Sequence, residues 1–294
     1  MAGRFGTLIT AMVTPFTRDG SVDLDRAQEV AAWLLEHGSD GLVVAGSTGE
    51  AATMSDDEKI DLWRAVVEAV GDRGTVIAGT GTYDTAHTIH LTESATSAGV
   101  DAILVVTPYY NKPPQAGLIE HFTAAARATE LPVMLYNIPG RTGTRIEHDT
   151  LLRLAEVENI VAVKDSTGDF DGAAKLMAAA PSGFEVYSGD DWATFGFATL
   201  GSPGVVSVVS HVVGERMRRI FELIEAGDLP GARKVHTELL PVFDVMFMTS
   251  NPIPVKAAMA LIGQPVGDAR LPLVPATDAQ VAAIRKVLED VGAL

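Results

Sequence analysis

The stretch Val161-Ala162-Val163-Lys164-Asp165-Ser166-Thr167 is the point around which the rest of this chain is organised. The apolar run from Ile160 to Val163 predicts a buried strand, and Lys164 stands where that run stops. Burying an ammonium group is costly, so a lysine in that position has to be satisfied or used. The other six lysines lie in polar or helix-like surroundings, so we expect Lys164 to be the exception.

A lysine in such a place suits one kind of chemistry. An ordinary lysine side chain has a pKa near 10.4, so about one molecule in a few thousand carries the neutral amine at pH 7. Desolvation disfavours the ammonium form, and a free amine can attack a ketone or an aldehyde to form a Schiff base. The alternative is that Lys164 pairs with Asp165 or extends to solvent at the strand end. The strand alone favours that alternative, and the motifs elsewhere in the chain reverse the balance.

Composition and charge limit the class of protein. Of the 294 residues, 47% are hydrophobic and 20% are charged, which is typical of a globular protein with a sizeable core. The formal net charge of -16 argues against nucleic acid or an anionic membrane as partner, since both need a basic face. Cysteine is absent, which excludes disulfides and thiolate chemistry. The sequence has no long apolar run and no signal-like N-terminus at Met1–Gly6, so we expect a soluble cytoplasmic protein.

Short apolar runs alternate with longer helical patterns along most of the chain. Parallel strands need crossover helices, so eight such pairs predict an α/β fold of the closed (β/α)8 type, a TIM barrel. An open doubly wound sheet is the alternative, but the Gly-x-Gly-x-x-Gly turn expected after its first strand is absent from the sequence. The eight runs are Thr7–Val13, Gly41–Val44, Val76–Gly79, Ala102–Val106, Val133–Tyr136, Ile160–Lys164, Glu185–Ser188 and Gly204–Val208.

The helical segments carry ordinary start and stop signals. Ser55-Asp56-Asp57-Glu58 is a capping-box pattern that predicts a helix ending at Gly71. Apolar residues at helical spacing predict another helix from Asp23 to Glu36. Asp84 or Thr85 could cap the helix that follows the third strand.

After about Ala226 the strand signals stop. We therefore predict a barrel over residues 1–226, which carries the active site, and a C-terminal appendage of three helices over residues 227–294. Asn251-Pro252-Ile253-Pro254 separates the first two of these helices. The predicted helices are Leu229–Phe247, Val255–Ile262 and Ala276–Val291.

Polar motifs follow several predicted strands, at the end of the barrel where active sites lie. Gly46–Glu50 contains two adjacent hydroxyls between glycines, which can bind a carboxylate, although a plain turn is the alternative. Tyr109 and Tyr110 lie in a proline-bounded loop, where packing at an interface is the expected role for at least one of them. Tyr136 ends the fifth strand as a candidate proton carrier, and Arg141 offers a planar fork suited to a carboxylate.

The acids and histidines bear on the substrate and the cofactor. Asp190 and Asp191 follow the seventh strand, where barrels often bind phosphate, and two acids there argue against a phosphorylated substrate. His87 and His90 lie one helical turn apart, but no carboxylate ligand pattern joins them, so we expect a solvated helix face rather than a metal site. Activation of a carbonyl substrate then falls to the amine of Lys164, and we expect neither a metal nor another cofactor.

In combination, these motifs resemble the dihydrodipicolinate synthase branch of the N-acetylneuraminate lyase superfamily of class I aldolases. The resemblance covers nearly the whole chain and is highly specific for the superfamily. It implies a homotetramer, a dimer of dimers, that condenses pyruvate with L-aspartate-4-semialdehyde in the diaminopimelate route to lysine. The motifs are Gly46–Glu50, Thr107–Pro113, Tyr136–Gly143, Lys164–Gly168, Ser188–Asp191 and Gly204–Ser207.

The resemblance implies four catalytic residues. Lys164 forms the imine with pyruvate, and Tyr136 moves protons to and from that intermediate. Ser47 and Tyr110 complete a proton relay, with Tyr110 reaching across from a neighbouring subunit. The chemistry agrees, because the imine is an electron sink that makes the pyruvate methyl acidic, and the resulting enamine attacks the aldehyde.

The resemblance also implies four substrate-binding residues. Thr48 and the backbone at Val206 hold the pyruvate carboxylate, and Gly189 is a further residue of the substrate site. Arg141 binds the carboxylate of the semialdehyde. Many members have Thr-Thr where this chain has Ser47-Thr48, but the hydroxyl is kept, so we expect the relay to survive.

Lysine-inhibited members of the branch place histidine, asparagine and glutamate around a lysine pocket between subunits. The matching positions here are Asp56, Lys59, Tyr83 and His87. We therefore expect weak or no feedback inhibition by lysine.

Two other functions stay open from the sequence. One is a pyruvate-releasing lyase of the same superfamily, acting on a sialic or 2-keto-3-deoxy sugar acid. Arg141 argues against it, since a cation there favours a short carboxylated aldehyde over a polyhydroxylated chain. The other is a non-catalytic barrel that only binds a keto acid.

Overall fold

The computed structural model describes residues 3–294; Met1 and Ala2, which begin the predicted barrel domain and N-terminal segment, lie outside them. Eight parallel strands form a closed barrel in which the last strand pairs with the first. The (β/α)8 prediction is confirmed, and the open doubly wound sheet is excluded. The strands are β1 (Leu8–Ala11), β2 (Gly41–Val44), β3 (Thr75–Gly79), β4 (Ala102–Val106), β5 (Val133–Asn137), β6 (Ile160–Asp165), β7 (Glu185–Ser188) and β8 (Val205–Ser207).

The helices begin and end close to the predicted signals. Ser55 and Glu58 form the capping box, and Asp84 rather than Thr85 caps its helix. None of the helices within residues 3–294 is long and apolar enough to cross a membrane. They are α1 (Leu24–Glu36), α2 (Asp56–Val70), α3 (Thr85–Ser97), α4 (Gln115–Arg127), α5 (Pro139–Thr142), α6 (His148–Leu154), α7 (Phe170–Ala179), α8 (Thr194–Leu200), α9 (Ser210–Glu225), α10 (Leu229–Met246), α11 (Ile253–Leu261) and α12 (Asp278–Asp290).

Alternate strand residues fill the interior of the barrel. Met134, Ala162 and Val206 belong to this interior cluster, together with Tyr136. Because successive side chains of a strand point to opposite faces, Lys164 lies on the same side of β6 as Ala162. The strand geometry therefore directs Lys164 into the barrel near its carboxyl end.

The three C-terminal helices are present, and they pack on the barrel. Leu239 of α10 and Ile284 of α12 belong to the same hydrophobic cluster as Leu8 of β1 and Val44 of β2. The helical appendage thus shares a core with the barrel. The boundary between residues 226 and 227 stays a prediction.

His211 links the residues that follow β8 to those that follow β1, where the barrel closes. Its Nδ1 donates to the carbonyl of Val208 at 2.8 Å, and its Nε2 accepts from the backbone N–H of Val13 at 3.2 Å. Complete burial lowers the pKa of His211 to about 4. The ring is neutral at pH 7, and only the neutral ring has a nitrogen that can accept the Val13 bond.

We predict that the buried His211 makes the stability of the fold sensitive to acid. In the unfolded chain the pKa of His211 returns to about 6.5, so the unfolded state binds more protons than the folded state between pH 6.5 and pH 4. Stability from this residue is present in full above pH 6.5 and is lost as pH falls to 4. The difference corresponds to about 3 kcal/mol of unfolding free energy. Urea unfolding at a series of pH values measures it.

The matched variant is His211→Gln, which keeps a donor and an acceptor but does not titrate. We expect it to be less stable at pH 7 and to lose less stability on acidification. Parallel pH profiles for the two proteins would show that His211 does not carry the effect.

Candidate active site

Lys164 and Tyr136 lie side by side on neighbouring strands. The register of β5 and β6 pairs the two residues, each the second to last of its strand. The Lys164 Nζ lies 4.2 Å from the centroid of the Tyr136 ring, whose face attracts a cation. Both side chains are buried, with 5% and 6% of their surface exposed. The structure thus brings together the two residues predicted to form and protonate the imine, at the functional end of the barrel.

Asp165 does not pair with Lys164. Its Oδ1 accepts from the backbone N–H of Thr167 at 2.7 Å and from the Thr167 hydroxyl at 2.6 Å. Asp165 follows Lys164 in the strand and therefore points to the opposite face of the sheet. The alternative in which Lys164 forms an ion pair with Asp165 or extends to solvent is therefore wrong.

Two other lysines are as buried as Lys164. The expectation that Lys164 alone would leave the polar, helix-like surroundings of the other lysines is therefore wrong with respect to burial. Lys59 and Lys256 are each 5% exposed. The Nζ of Lys59 lies 3.7 Å from Asp56, and that of Lys256 lies 2.6 Å from Glu50. Burial lowers the pKa of both amines, and the nearby carboxylates oppose that shift. Within residues 3–294, Lys164 has no carboxylate partner within 4 Å, and this difference sets it apart from the other two.

Gly189 lies against the stem of Lys164. A Cβ atom at this position would lie 3.0 Å from the Lys164 Cγ and 2.1 Å from the Ser166 Oγ. The Gly189 N–H donates to the carbonyl of Asp165 at 2.7 Å, which holds the loop in place. A larger residue would clash with Ser166 and crowd the stem of Lys164. The structure thus places Gly189 beside the amine.

The two acids after β7 have different surroundings. Asp191 is fully buried and accepts from the Ser207 hydroxyl at 2.5 Å and from the N–H groups of Val208 and Val209 at 3.0 and 3.1 Å. It anchors the turn after β8. Burial raises the pKa of Asp190 to about 6, and the positive charge of Lys164 opposes that rise. Both acids are close enough to Lys164 to interact electrostatically with it.

A cavity of about 400 Å³ opens at this end of the barrel. Ser47, Tyr136 and Arg141, all predicted site residues, line it. Its size suits a small molecule. Thr48, Lys164 and Val206 are buried and lie outside its lining. The cavity therefore extends from Arg141, which is exposed, to Tyr136, which lies beside the buried Lys164.

The predicted proton relay is not assembled within one chain. Tyr110 has 92% of its surface exposed and does not line the cavity, and its backbone has a left-handed φ of 75°. Tyr109 lines the cavity instead, with its ring edge-on to Tyr83 at 5.4 Å between centroids. In the described part of the chain, the Tyr136 hydroxyl makes no hydrogen bond to Ser47. The role of Tyr110 in a neighbouring subunit stays a prediction.

The C-terminal appendage contributes residues that the sequence analysis missed. Asn251 lines the cavity, and its Nδ2 donates to the Thr48 hydroxyl at 2.9 Å. Glu50 is held by the ion pair with Lys256 and by the backbone N–H of Arg270, which donates to Glu50 Oε2 at 2.8 Å. The Asn-Pro-Ile-Pro motif was the available signal, since a polar residue interrupts a helical pattern there.

Comparison with known protein families identifies the chain. The model of the Dihydrodipicolinate synthetase family matches residues 4–291. The chain belongs to this family. A 4-hydroxy-tetrahydrodipicolinate synthase from Moorella thermoacetica is 52% identical over 291 residues, which cover 99% of this chain and 100% of the relative. The resemblance stated from the sequence is confirmed.

Solved structures agree with this assignment. A dihydrodipicolinate synthase from Bacillus anthracis has a TM-score of 0.96 at 44% identity, with 98% of each chain covered. One from Cyanidioschyzon merolae, solved with lysine bound, has a TM-score of 0.97 at 43% identity and covers 99% of this chain and 100% of its own. The chain is thus an enzyme, a lyase of the class I aldolase type, and the non-catalytic barrel is excluded.

The positions that match the family's lysine pocket form a polar cluster beside the cavity. The Asp56 carboxylate lies 2.9 Å from His87 Nε2 and 3.7 Å from Lys59 Nζ. Tyr83 is 56% exposed and packs on Tyr109. Asp56 is therefore already in contact with His87 and Lys59. The buried Lys59 would repel the ammonium group of a bound lysine.

We predict that lysine inhibits this enzyme weakly or not at all. A second ammonium placed near Lys59 would be repelled, and Asp56 already has basic partners. Initial rates at saturating pyruvate, measured with increasing lysine and with sodium chloride at matched ionic strength, check this. Half-inhibition at sub-millimolar lysine would contradict the prediction.

Proposed function

We propose that the chain condenses pyruvate with L-aspartate-4-semialdehyde, the 4-hydroxy-tetrahydrodipicolinate synthase reaction of the diaminopimelate route to lysine. The observation that carries the proposal is the buried amine of Lys164, 4.2 Å from the Tyr136 ring and without a carboxylate partner in the part of the chain that the structure describes. Membership of the family and the full-length relative support it. Arg141 in the cavity wall favours the semialdehyde over a sugar acid.

In the first half of the reaction the Lys164 amine attacks the keto carbon of pyruvate, and water leaves to form the imine. The Tyr136 phenol, at the amine, transfers the protons that this addition and loss require. Thr48 and the backbone at Val206 hold the pyruvate carboxylate, while Gly189 leaves room for the lysine stem. The imine withdraws electrons, so Tyr136 can take a proton from the methyl group, which leaves the enamine.

In the second half the enamine carbon attacks the aldehyde of the second substrate. Arg141 is exposed on α5, and its guanidinium can bind the semialdehyde carboxylate through two parallel N–H donors. The new alkoxide takes a proton through the relay of Tyr136, Ser47 and Tyr110. The amine of the substrate then displaces Lys164 from the imine carbon, which closes the ring and frees the enzyme.

The assembly and the location are parts of the same proposal. Tyr110 is exposed in one chain, which supports a role in the site of a neighbouring subunit. Such a role requires at least a dimer, and the homotetramer implied by the resemblance satisfies it. We also propose a cytoplasmic location, since the substrates are soluble metabolites.

The first test is covalent trapping of the imine. Borohydride added with pyruvate is expected to attach one reduced pyruvate adduct, and peptide mass spectrometry is expected to find it at Lys164. Lys59 and Lys256 are equally buried internal controls that should stay unmodified, because their amines are paired with carboxylates. Lys164→Ala should abolish both trapping and turnover. An adduct elsewhere, or full turnover by that variant, would contradict the proposal.

The second test separates the two substrates. Arg141→Ala is expected to raise the KM for the semialdehyde by roughly tenfold to a hundredfold, since a hydrogen bond to a charged group contributes about 1.5–3 kcal/mol. Trapping of pyruvate should be unchanged, because Arg141 does not contact that substrate. Steady-state kinetics with each substrate varied measure the difference, and Arg141→Lys is the matched control that keeps the charge but loses the fork. Unchanged kinetics with the semialdehyde would remove the role of Arg141, and release of pyruvate from a sugar acid would favour the alternative lyase.

A further inference from the structure

Asn251 is the residue by which the C-terminal appendage contacts the candidate keto-acid site. Its Nδ2 donates to the Thr48 Oγ1 at 2.9 Å. The two side chains are nearly fully buried, with 6% and 5% of their surface exposed, and Asn251 also lines the cavity. A residue far away in the sequence therefore determines the surroundings of a single hydroxyl group.

A threonine hydroxyl has one hydrogen to donate and two lone pairs that accept. The amide of Asn251 occupies a lone pair of Thr48, so the hydroxyl hydrogen must point away from that amide. Thr48 Oγ1 has no second partner among residues 3–294. Its hydrogen is therefore free to be donated to an acceptor such as a carboxylate oxygen.

Asn251 serves no other group of the described chain. The bond to Thr48 is the only hydrogen bond of its side chain there, and its buried Oδ1 has no partner. An asparagine kept only for the stability of the fold would be expected to satisfy its carbonyl as well, because an unpaired buried polar atom is destabilising. The contact with Thr48 is thus the one polar contact that the Asn251 side chain makes in the described part of the chain.

Buried charges keep the two residues at this distance. Glu50, in the same loop as Thr48, is paired at 2.6 Å with Lys256 of α11, the helix that follows Asn251. Its second oxygen accepts from the backbone N–H of Arg270 at 2.8 Å. The loop and the appendage are therefore joined at Glu50 as well as at the Asn251–Thr48 bond.

We propose that Asn251 is a positioning residue that orients the Thr48 hydroxyl so that it donates to the carboxylate of the keto acid. The inference rests on the proposed function, in which Thr48 binds the pyruvate carboxylate. It gives the C-terminal appendage a part in the reaction, because the pyruvate site is incomplete without the segment that carries Asn251.

The test is a double-mutant cycle with Thr48→Val, Asn251→Ala and the combined variant. The readouts are the KM for pyruvate and the pyruvate concentration that gives half-maximal borohydride trapping at Lys164. We expect Thr48→Val to raise both values by at least about tenfold and Asn251→Ala by about fivefold. Because Asn251 acts through Thr48, the combined variant should be no worse than Thr48→Val alone.

Asn251→Asp is the isosteric second variant, and it keeps the shape of the side chain if Asn251→Ala fails to fold. A carboxylate accepts the Thr48 hydrogen instead of donating to its oxygen, and its charge repels the keto acid. We expect pyruvate affinity to fall further than in Asn251→Ala, while the KM for the semialdehyde is unchanged. The thermal midpoint is expected to fall as well, because the new carboxylate is buried.

Three outcomes would overturn the inference, and they differ in what else they affect. If Thr48→Val leaves pyruvate affinity unchanged, the proposed role of Thr48 fails as well. If Thr48→Val weakens pyruvate binding but neither Asn251 variant does, only the role of Asn251 fails. Additive effects in the combined variant, or a lowered thermal midpoint with normal pyruvate affinity, would show that Asn251 acts independently of Thr48 or only on stability.

Discussion

The candidate active site is built around the amine of Lys164, which lies inside a closed barrel of parallel strands. Lys164 and Tyr136 occupy paired positions on β6 and β5, and neighbouring strands lie about 4.8 Å apart. Backbone hydrogen bonds on both sides of each strand thus set the distance between the amine and the phenol. A pair on two loops would depend on the weaker and more variable forces that order loops. The barrel therefore places the Tyr136 ring beside the amine through its backbone pairing.

The three buried lysines differ in their partners and not in their burial. Lys59 and Lys256 lie beside carboxylates, which stabilise the charged form of a buried amine. Lys164 meets an aromatic ring and the partly buried Asp190 region instead. The ring attracts a cation but accepts no proton, so the amine keeps its lone pair available once it is deprotonated. Unlike Lys59 and Lys256, Lys164 has no carboxylate within 4 Å in the described part of the chain that would hold its amine in an ion pair.

The appendage and the barrel act together at the substrate site. Glu50–Lys256 is an ion pair with both side chains buried, and breaking such a pair from one side costs about 3–5 kcal/mol. The pair therefore joins the hydroxyl loop after β2 firmly to α11. Asp191 holds the turn after β8, the strand that contains Val206, by accepting hydrogen bonds from Ser207 and Val208. The groups proposed to bind the keto acid are thus held by buried polar contacts, whereas Arg141, proposed for the second substrate, lies exposed in a short helix.

The sequence by itself determined the eight strands, the helix caps, the lysine and the polar motifs at the strand ends. Those features are local, because alternating periods and capping residues act over a few neighbours. Only the tertiary structure decided that Lys59 and Lys256 are buried, that Asp191 anchors a turn, and that Asn251 contacts Thr48. Apart from Lys59 and Asp56, which lie three residues apart on α2, the partners in these contacts are far apart in the chain, and no periodic pattern encodes their meeting. Their pairing follows from closing the barrel and packing α11 on it, which a one-dimensional pattern cannot specify.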